Sequence, residues 1–521
     1  VTVPTGTSAA PTPAAPVRLG TASLDDVAAT GAAVPTYDRS VVTPGIVHIG
    51  VGGFHRAHQA MYLDRLMNRG EALDWGIVGL GVMPSDARMR DALAGQDHLY
   101  TLTTKAPDGT EDPRVIGSII DYVFAPDDPS AAVALLSDPR IRIVGLTVTE
   151  GGYNIDHVTG DFLHSSVHVA HDRAELTAGR TGDLRTFFGL VTAALAARRA
   201  AGTAPFTVMS CDNIQGNGDT ARRTFLAFAD SVDPDLASWI STDVSFPNSM
   251  VDRITPETTD ADRDDVAAHG YTDAWPVVAE DFVQWVLEDA FPAGRPPYEN
   301  VGVEVVDDVV PFELMKLRLL NASHQGLCYF GRLAGHRMVH EVMADPRFGR
   351  FLLAYMETEA TPTLRPLPGV DLDAYRHTLI ERFGSVAVKD TVARLCAESS
   401  DRIPKWLLPV VRENLAAGRS TRLSAAIVAS WARYAEGVDE QGEPITVVDR
   451  MADRLQESAS RNHEDPLAFL RDREVFGDLV ESEQFTADYL HALDSLHSAG
   501  VEATLDMLLA EVAADPGTGR H

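Results

Sequence analysis

The stretch GIVHIGVGGFHRAHQAMYLD, Gly45–Asp64, decides the fold class. Ile46–Gly52 reads as a short β-branched strand entering glycines, and Arg56–Asn68 as an amphipathic helix. Glycines there permit a tight turn and close backbone approach to a pyrophosphate. The helix start beyond them offers free N–H groups and a positive dipole end. The spacing departs from GxGxxG, because His55 holds the third glycine position. Alone the pattern is weak and fits a plain strand–helix turn. The strand before and the helix after make Gly50, Gly52, Gly53 and Phe54 cofactor-binding candidates.

Outward from this turn the same alternation continues. WGIVGLGV (Trp75–Val82) reads as a second strand, and Ile141–Val148 and Phe206–Ser210 are short apolar runs of the kind buried in parallel sheets. Leu184–Ala201 between them has helical spacing. Strands alternating with helices predict an α/β Rossmann-type domain over residues 35–300. The Pro/Gly-rich FPAGRPPYEN, Phe291–Asn300, ends the pattern. Beyond it Glu313–Leu333, Arg347–Glu359, Thr421–Ala435 and Thr486–Ala499 carry helical periodicity, which predicts a mostly α-helical domain over 301–521. Residues 1–34 are rich in Ala, Pro, Thr and Ser without the basic-then-apolar order of a signal peptide, and are expected to be a loose extension.

Bulk properties narrow the function classes. A chain of 521 residues exceeds one hydrophobic core, so at least two domains are expected. A net charge of −31 with no basic run disfavours nucleic acid and anionic membranes as partners. No apolar run approaches the roughly 18 to 20 residues of a membrane helix. Cys211, Cys328 and Cys396 lie far apart, without CxxC or zinc-finger spacing, which suits a reducing, cytoplasmic setting and no bound metal. His55 and His58 form an HxxH with no obvious third ligand; a phosphate-facing or helix-capping role is expected for the pair.

An acidic residue should follow the second strand to bind the adenosine ribose. Asp86 in MPSDARM is the candidate and favours NAD over NADP, although an N-cap role for it is equally open. Chemistry is expected in Glu313-Leu-Met-Lys316-Leu-Arg-Leu-Leu-Asn321-Ala-Ser-His324. At roughly 100° per residue Lys316 falls about 80° from His324 and about 140° from Asn321, so one broad helix face would present an amine, an amide and an imidazole. A merely solvated polar face fits the same spacing. Only four lysines, Lys105, Lys316, Lys389 and Lys405, stand among the 44 basic residues. A lysine flanked by leucines can lose its proton near neutral pH, which arginine cannot.

Taken together, PTYDRS (Pro35–Ser40), GIVHIGVGGFHRAHQAMYLD, LTVTEGGY (Leu146–Tyr153), SCDNIQGNG (Ser210–Gly218), FPNSMVDRITP (Phe246–Pro256), FVQWVLED (Phe282–Asp289) and KLRLLNASH (Lys316–His324) resemble the long-chain mannitol dehydrogenase family, the polyol-specific long-chain dehydrogenases. Weaker similarity continues through ERFGSVAVKDTVARL (Glu381–Leu395). The resemblance implies a metal-independent, NAD(P)-dependent oxidation of an open-chain polyol to a ketose, with Asp86 favouring NAD. Mannitol to fructose leads; arabinitol and the hexuronates fructuronate and tagaturonate are the alternatives. It also implies Lys316 as general acid/base, Asn213 and Asn321 as an oxyanion hole, His324 as substrate-orienting, and Glu313 as a proton-relay carboxylate. Asp252, Arg382 and Lys389 would contact substrate hydroxyls. GNGD (Gly216–Asp219) and EDF (Glu280–Phe282) depart from the family wording and bear on substrate fit. A monomer or small homo-oligomer is expected. A catalytically silent NAD- or sugar-binding protein is the alternative from another class.

Overall fold

The structure, a computed structural model, describes residues 16–156, 159–367, 369–387 and 389–514. The chain divides into two compact bodies, residues 1–105 with 111–309, and residues 106–110 with 310–521.

The first body is built on a five-stranded sheet of β1 (Pro44–Ile49), β2 (Gly76–Gly81), β3 (Ile119–Phe124), β4 (Ile143–Leu146) and β5 (Thr207–Ser210). All are parallel, in the order β3-β2-β1-β4-β5. That is the Rossmann order, with its reversal beside β1, where such sheets leave a ligand crevice at the strand ends. Four of these strands match the apolar runs expected from sequence; β3, whose Asp121 interrupts its apolar run, was not expected. Both faces of the central strands are covered, which is why β1, β2, β4 and β5 are mostly apolar and buried. Val47, Ile49, Val144 and Leu146 pack with Phe188 and Leu190 of a helix over Phe187–Ala201. Ile46, Ile77 and Ile143 pack with Tyr62, Leu63 and Leu66 on the opposite face.

Three expectations are corrected in this body. The helix over 56–68 is two helices, α1 (Gly53–Ala57) and α2 (Gln59–Met67), broken at His58 with φ −123° and ψ −93°. Part of the expected loose extension is packed: Val17–Arg18 pairs in parallel with Tyr271–Thr272, and Leu19 and Val27 are buried. Residues 1–15 of that extension lie outside the described residues. Glu304–Val306, expected to begin a helical domain, is a strand parallel to Gln284–Glu288 and belongs to the first body.

The second body is helical. Its middle helix, Arg422–Ala435, is buried from Leu423 to Ala432 and packs against Ala322–Leu333 and Glu483–Ser498. The long helix expected over 313–333 exists but is not uniform. Val310–Met315 is α-helical, Lys316–Asn321 is π-helical and Ala322–Leu333 is α-helical again. Pro346–Tyr355 likewise passes into a π-helical segment, Met356–Ala360. Among the described residues no helix is long and apolar enough to cross a membrane.

Candidate active site

The glycine turn follows β1 directly. Gly50 has φ +91°, and a Cβ there would lie 2.1 Å from the Thr147 carbonyl oxygen, so backbone conformation and packing both require glycine. The Gly52 amide donates to the Gly50 carbonyl at 2.7 Å, and Thr147 Oγ1 donates to the same carbonyl at 2.6 Å. Gly52 is exposed, and a Cβ there would approach nothing closer than 3.9 Å. A Cβ on Gly53 would meet the Thr255 methyl at 3.5 Å and the Pro256 carbonyl oxygen at 4.0 Å, both ordinary contacts. The Thr255 hydroxyl is buried without a hydrogen-bond partner among the described residues. An open glycine cradle beside a buried, unmatched hydroxyl fits a dinucleotide diphosphate. Sequence reading passed over Thr255, although it stands inside FPNSMVDRITP. Because α1 has only five residues, the local amides of the turn matter more here than a helix dipole.

His55 and His58 lie inside the first body. Both are buried, and His55 stacks on His48 of β1 at 3.4 Å between ring centroids. His58 Nε2 meets the Gln284 carbonyl at 3.1 Å, its Nδ1 meets Gln59 Nε2 at 3.0 Å, and Phe54 stacks on its ring at 4.8 Å. Burial holds both imidazoles neutral, with pKa values lowered to about 3. His58 stands at the break between α1 and α2, and its ring ties that break to the strand Gln284–Glu288.

Asp86 stands just beyond β2. Its Oδ2 accepts from the amides of Val82 and Met83, each at 2.9 Å, so the carboxylate fastens the strand-end turn. At the ends of β4 and β5, Asp212 does a similar job that the sequence did not single out. It accepts from Thr149 N at 2.8 Å, Val148 N at 3.2 Å and the Tyr153 hydroxyl at 2.8 Å. Thr149 adopts φ +64°, an uncommon backbone for a β-branched residue, and this carboxylate holds it there. Asn213, next in the chain, is exposed at the β5 end. Asp252 is buried at the end of strand Ser249–Asp252, where it pairs with Gln284. Beside it Arg253 donates to the carbonyls of Glu280 and Ala57, which fixes the EDF stretch.

In the second body Glu313, Lys316 and Asn321 are buried at 5%, 7% and 7% exposure. The π-helix alters their geometry. The Ala322 amide bonds to the Leu317 carbonyl, five residues back, so each turn holds an extra residue. Lys316 and Asn321, five apart, therefore share one face instead of lying about 140° apart as an α-helix would place them. This corrects the angular reading of the sequence and brings amine and amide nearer. His324 is partly buried and its ring lies 4.9 Å from that of Phe383, which brings Arg382, the preceding residue and also buried, into its neighbourhood. Lys389 is exposed with φ +49°.

Zinc spacing is absent from the sequence, yet the fold gathers one carboxylate–imidazole group, Glu436, His463 and His497, in the second body. Its carboxylate is already neutralised: Arg433 lies 3.1 Å from Oε2, while Asn462 and His497 donate to Oε1 at 2.7 and 2.8 Å.

Comparison with known proteins adds the following. Residues 44–300 match the mannitol dehydrogenase Rossmann domain and residues 308–497 the mannitol dehydrogenase C-terminal domain. A mannitol 2-dehydrogenase of Aspergillus fumigatus is 44% identical over 94% of this chain and 99% of its own. One from Phaeosphaeria nodorum is 46% identical over 91% of this chain and 82% of its own. Among solved structures, Pseudomonas fluorescens mannitol 2-dehydrogenase in ternary complex with NAD and D-mannitol is 45% identical, with TM-score 0.81, over 95% of this chain and 100% of its own. A substrate-free D-sorbitol dehydrogenase is 37% identical, with TM-score 0.86, over 91% and 97%.

Proposed function

Because the chain belongs to the mannitol dehydrogenase family, we propose that it is an NAD-dependent, metal-independent mannitol 2-dehydrogenase that interconverts D-mannitol and D-fructose. The observation that carries this reading is the buried Lys316–Asn321 face in a chain whose other body presents an open glycine cradle. Gly50, Gly52, Gly53, Phe54 and Thr255 would hold NAD, whose nicotinamide supplies the hydride acceptor. Asp86 binds the adenosine ribose hydroxyls and repels a 2′-phosphate.

In oxidation, neutral Lys316 takes the proton of the reacting hydroxyl, and Glu313, one helical turn earlier, relays it outward. Asn213 and Asn321 donate N–H bonds to the same oxygen as alkoxide character develops. Donors placed for a charge that grows only in the transition state lower the barrier by a few kcal/mol, which removes the need for a Lewis acid. His324 orients the polyol, and Asp252, Arg382 and Lys389 bind its remaining hydroxyls.

The test is a panel of mannitol, arabinitol, sorbitol, fructuronate and tagaturonate, followed at the NADH absorbance band after dialysis against chelator. Fastest turnover with the mannitol–fructose pair is expected. Turnover of no substrate overturns the enzyme reading, and activity restored only by added zinc overturns the metal-free mechanism. The likeness to D-sorbitol dehydrogenase makes sorbitol the competing substrate.

A further inference from the structure

A π-helical turn has a cost that α-helices avoid. One extra residue per turn displaces the amide ladder, so a carbonyl in the segment is left short of its backbone partner. In this chain side-chain donors reach the carbonyls of both π-helical segments. The Tyr355 hydroxyl donates to the carbonyl of Arg318, in the middle of Lys316–Asn321, at 3.2 Å. Thr361 Oγ1 donates to the Met356 carbonyl at 2.6 Å, and Asn414 Nδ2 to the Glu359 carbonyl at 2.9 Å, both in Met356–Ala360.

The tie between the two segments is reciprocal. The Arg318 backbone receives Tyr355, while its guanidinium donates to the Thr363 carbonyl at 2.6 Å, just past the second segment. The same guanidinium pairs with Glu413 at 2.6 and 3.0 Å. Tyr355 and Arg318 are both buried, so neither bond competes with water. Burial, reinforced by the charge of Glu359, raises the Tyr355 phenol well above its ordinary pKa, so it stays a donor at any working pH.

We propose that Tyr355 is a positioning residue for the reaction: its hydroxyl, on the Arg318 carbonyl, holds open the wide turn that sets Lys316 and Asn321 on one face. Without that donor the Arg318 carbonyl is left seeking an amide, and the turn relaxes toward α-helix. Lys316 and Asn321 then rotate apart toward about 140°, and the base and the oxyanion donor no longer address one oxygen. Tyr355 itself touches no substrate in this account. The inference rests on the proposed role of Lys316.

The experiment compares Tyr355→Phe, Lys316→Ala and the double variant in the full chain, by steady-state kinetics, pH profile, NAD titration and thermal melting. Tyr355→Phe is expected to lower kcat about tenfold, with NAD affinity within about twofold of wild type and a displaced apparent pKa in the kcat profile. The double variant should be no slower than Lys316→Ala, because one residue acts through the other. Wild-type kcat and pH profile in Tyr355→Phe, or full additivity in the double variant, overturns the positioning role. Wild-type turnover in Lys316→Ala overturns the lysine reading on its own. Should Tyr355→Phe fail to fold, Glu413→Gln loosens Arg318 from a half-exposed partner. There a kcat about threefold lower with the same pH displacement supports the proposal, and unchanged kinetics overturn it.

Discussion

The glycine turn after β1 and the lysine segment Lys316–Asn321 are both short and both irregular, but they are held in different ways. The turn is fixed mainly by its own glycine backbone, with one support, Thr147, from 97 residues away. Gly50 adopts a left-handed backbone against Thr147, and the Gly52 amide closes onto the Gly50 carbonyl. The lysine segment is fixed from a distance. A phenol 37 residues away satisfies one of its carbonyls, and a carboxylate 95 residues away anchors its arginine. A site set mainly by its own backbone should fail when its own residues change. A tertiary one should also fail through its supports, while the cofactor still binds.

The largest expected effect is on the lysine. Lys316→Ala should lower kcat for polyol oxidation by at least ~10² while NAD titration is nearly unchanged, since acid–base catalysis contributes roughly 10² to 10⁴. Lys316→Arg should do no better, because guanidinium keeps its proton. Near-normal activity of the arginine variant would reduce Lys316 to a bare charge and make His324 the next candidate base.

Glycine replacements separate packing from ligand contact in the turn. Gly50→Ala should destabilise the first body by about 2 kcal/mol or more, through strained backbone and the contact with Thr147, and abolish measurable NAD binding. Gly52→Ala has room for its methyl, so its melting temperature should match wild type while NAD affinity falls about tenfold. Normal NAD binding by Gly52→Ala would show that the cradle does not face the cofactor.

Acid should reach the first body through His55 and His58. Their folded pKa values, lowered from 6.5 to about 3, mean that the unfolded chain binds more protons between those limits. Stability is therefore full above pH 6.5 and is lost as pH falls toward 3, by up to about 1.4 kcal/mol per pH unit for each histidine. Replacing His58 by Asn should flatten that slope in pH-dependent denaturant melts; an unchanged slope would mean that other groups carry it.

The smallest effect concerns Asp86, whose carboxylate also fastens its own turn. Asp86→Ser should narrow the preference for NAD over NADP in kcat/KM by about tenfold, with kcat for NAD little changed. A wild type that uses NADP as well as NAD would sink the ribose assignment.

Much of the first body was legible because its signals are local. A buried parallel strand must be apolar on both faces, so β1, β2, β4 and β5 stand out as short β-branched runs. β3 escaped, since Asp121 breaks its apolar run. The His55/His58 pair misled for a related reason: HxxH beside a glycine turn looks exposed until the break at His58 turns both rings inward.

By itself the sequence determined the Rossmann-type order of strands and helices, the glycine-rich junction between strand and helix, and the helical second body, because each is written in residue type and period over short stretches. Tertiary structure alone decided that the lysine helix is π-wound, that residues 17–34 pack onto the first body, and that Glu436, His463 and His497 meet. In each case the deciding partner lies far away in sequence. The π-helical segment has a side-chain donor from a distant residue on one of its carbonyls, and distant side chains or strands meet only where the fold brings them. Local periodicity carries no record of either.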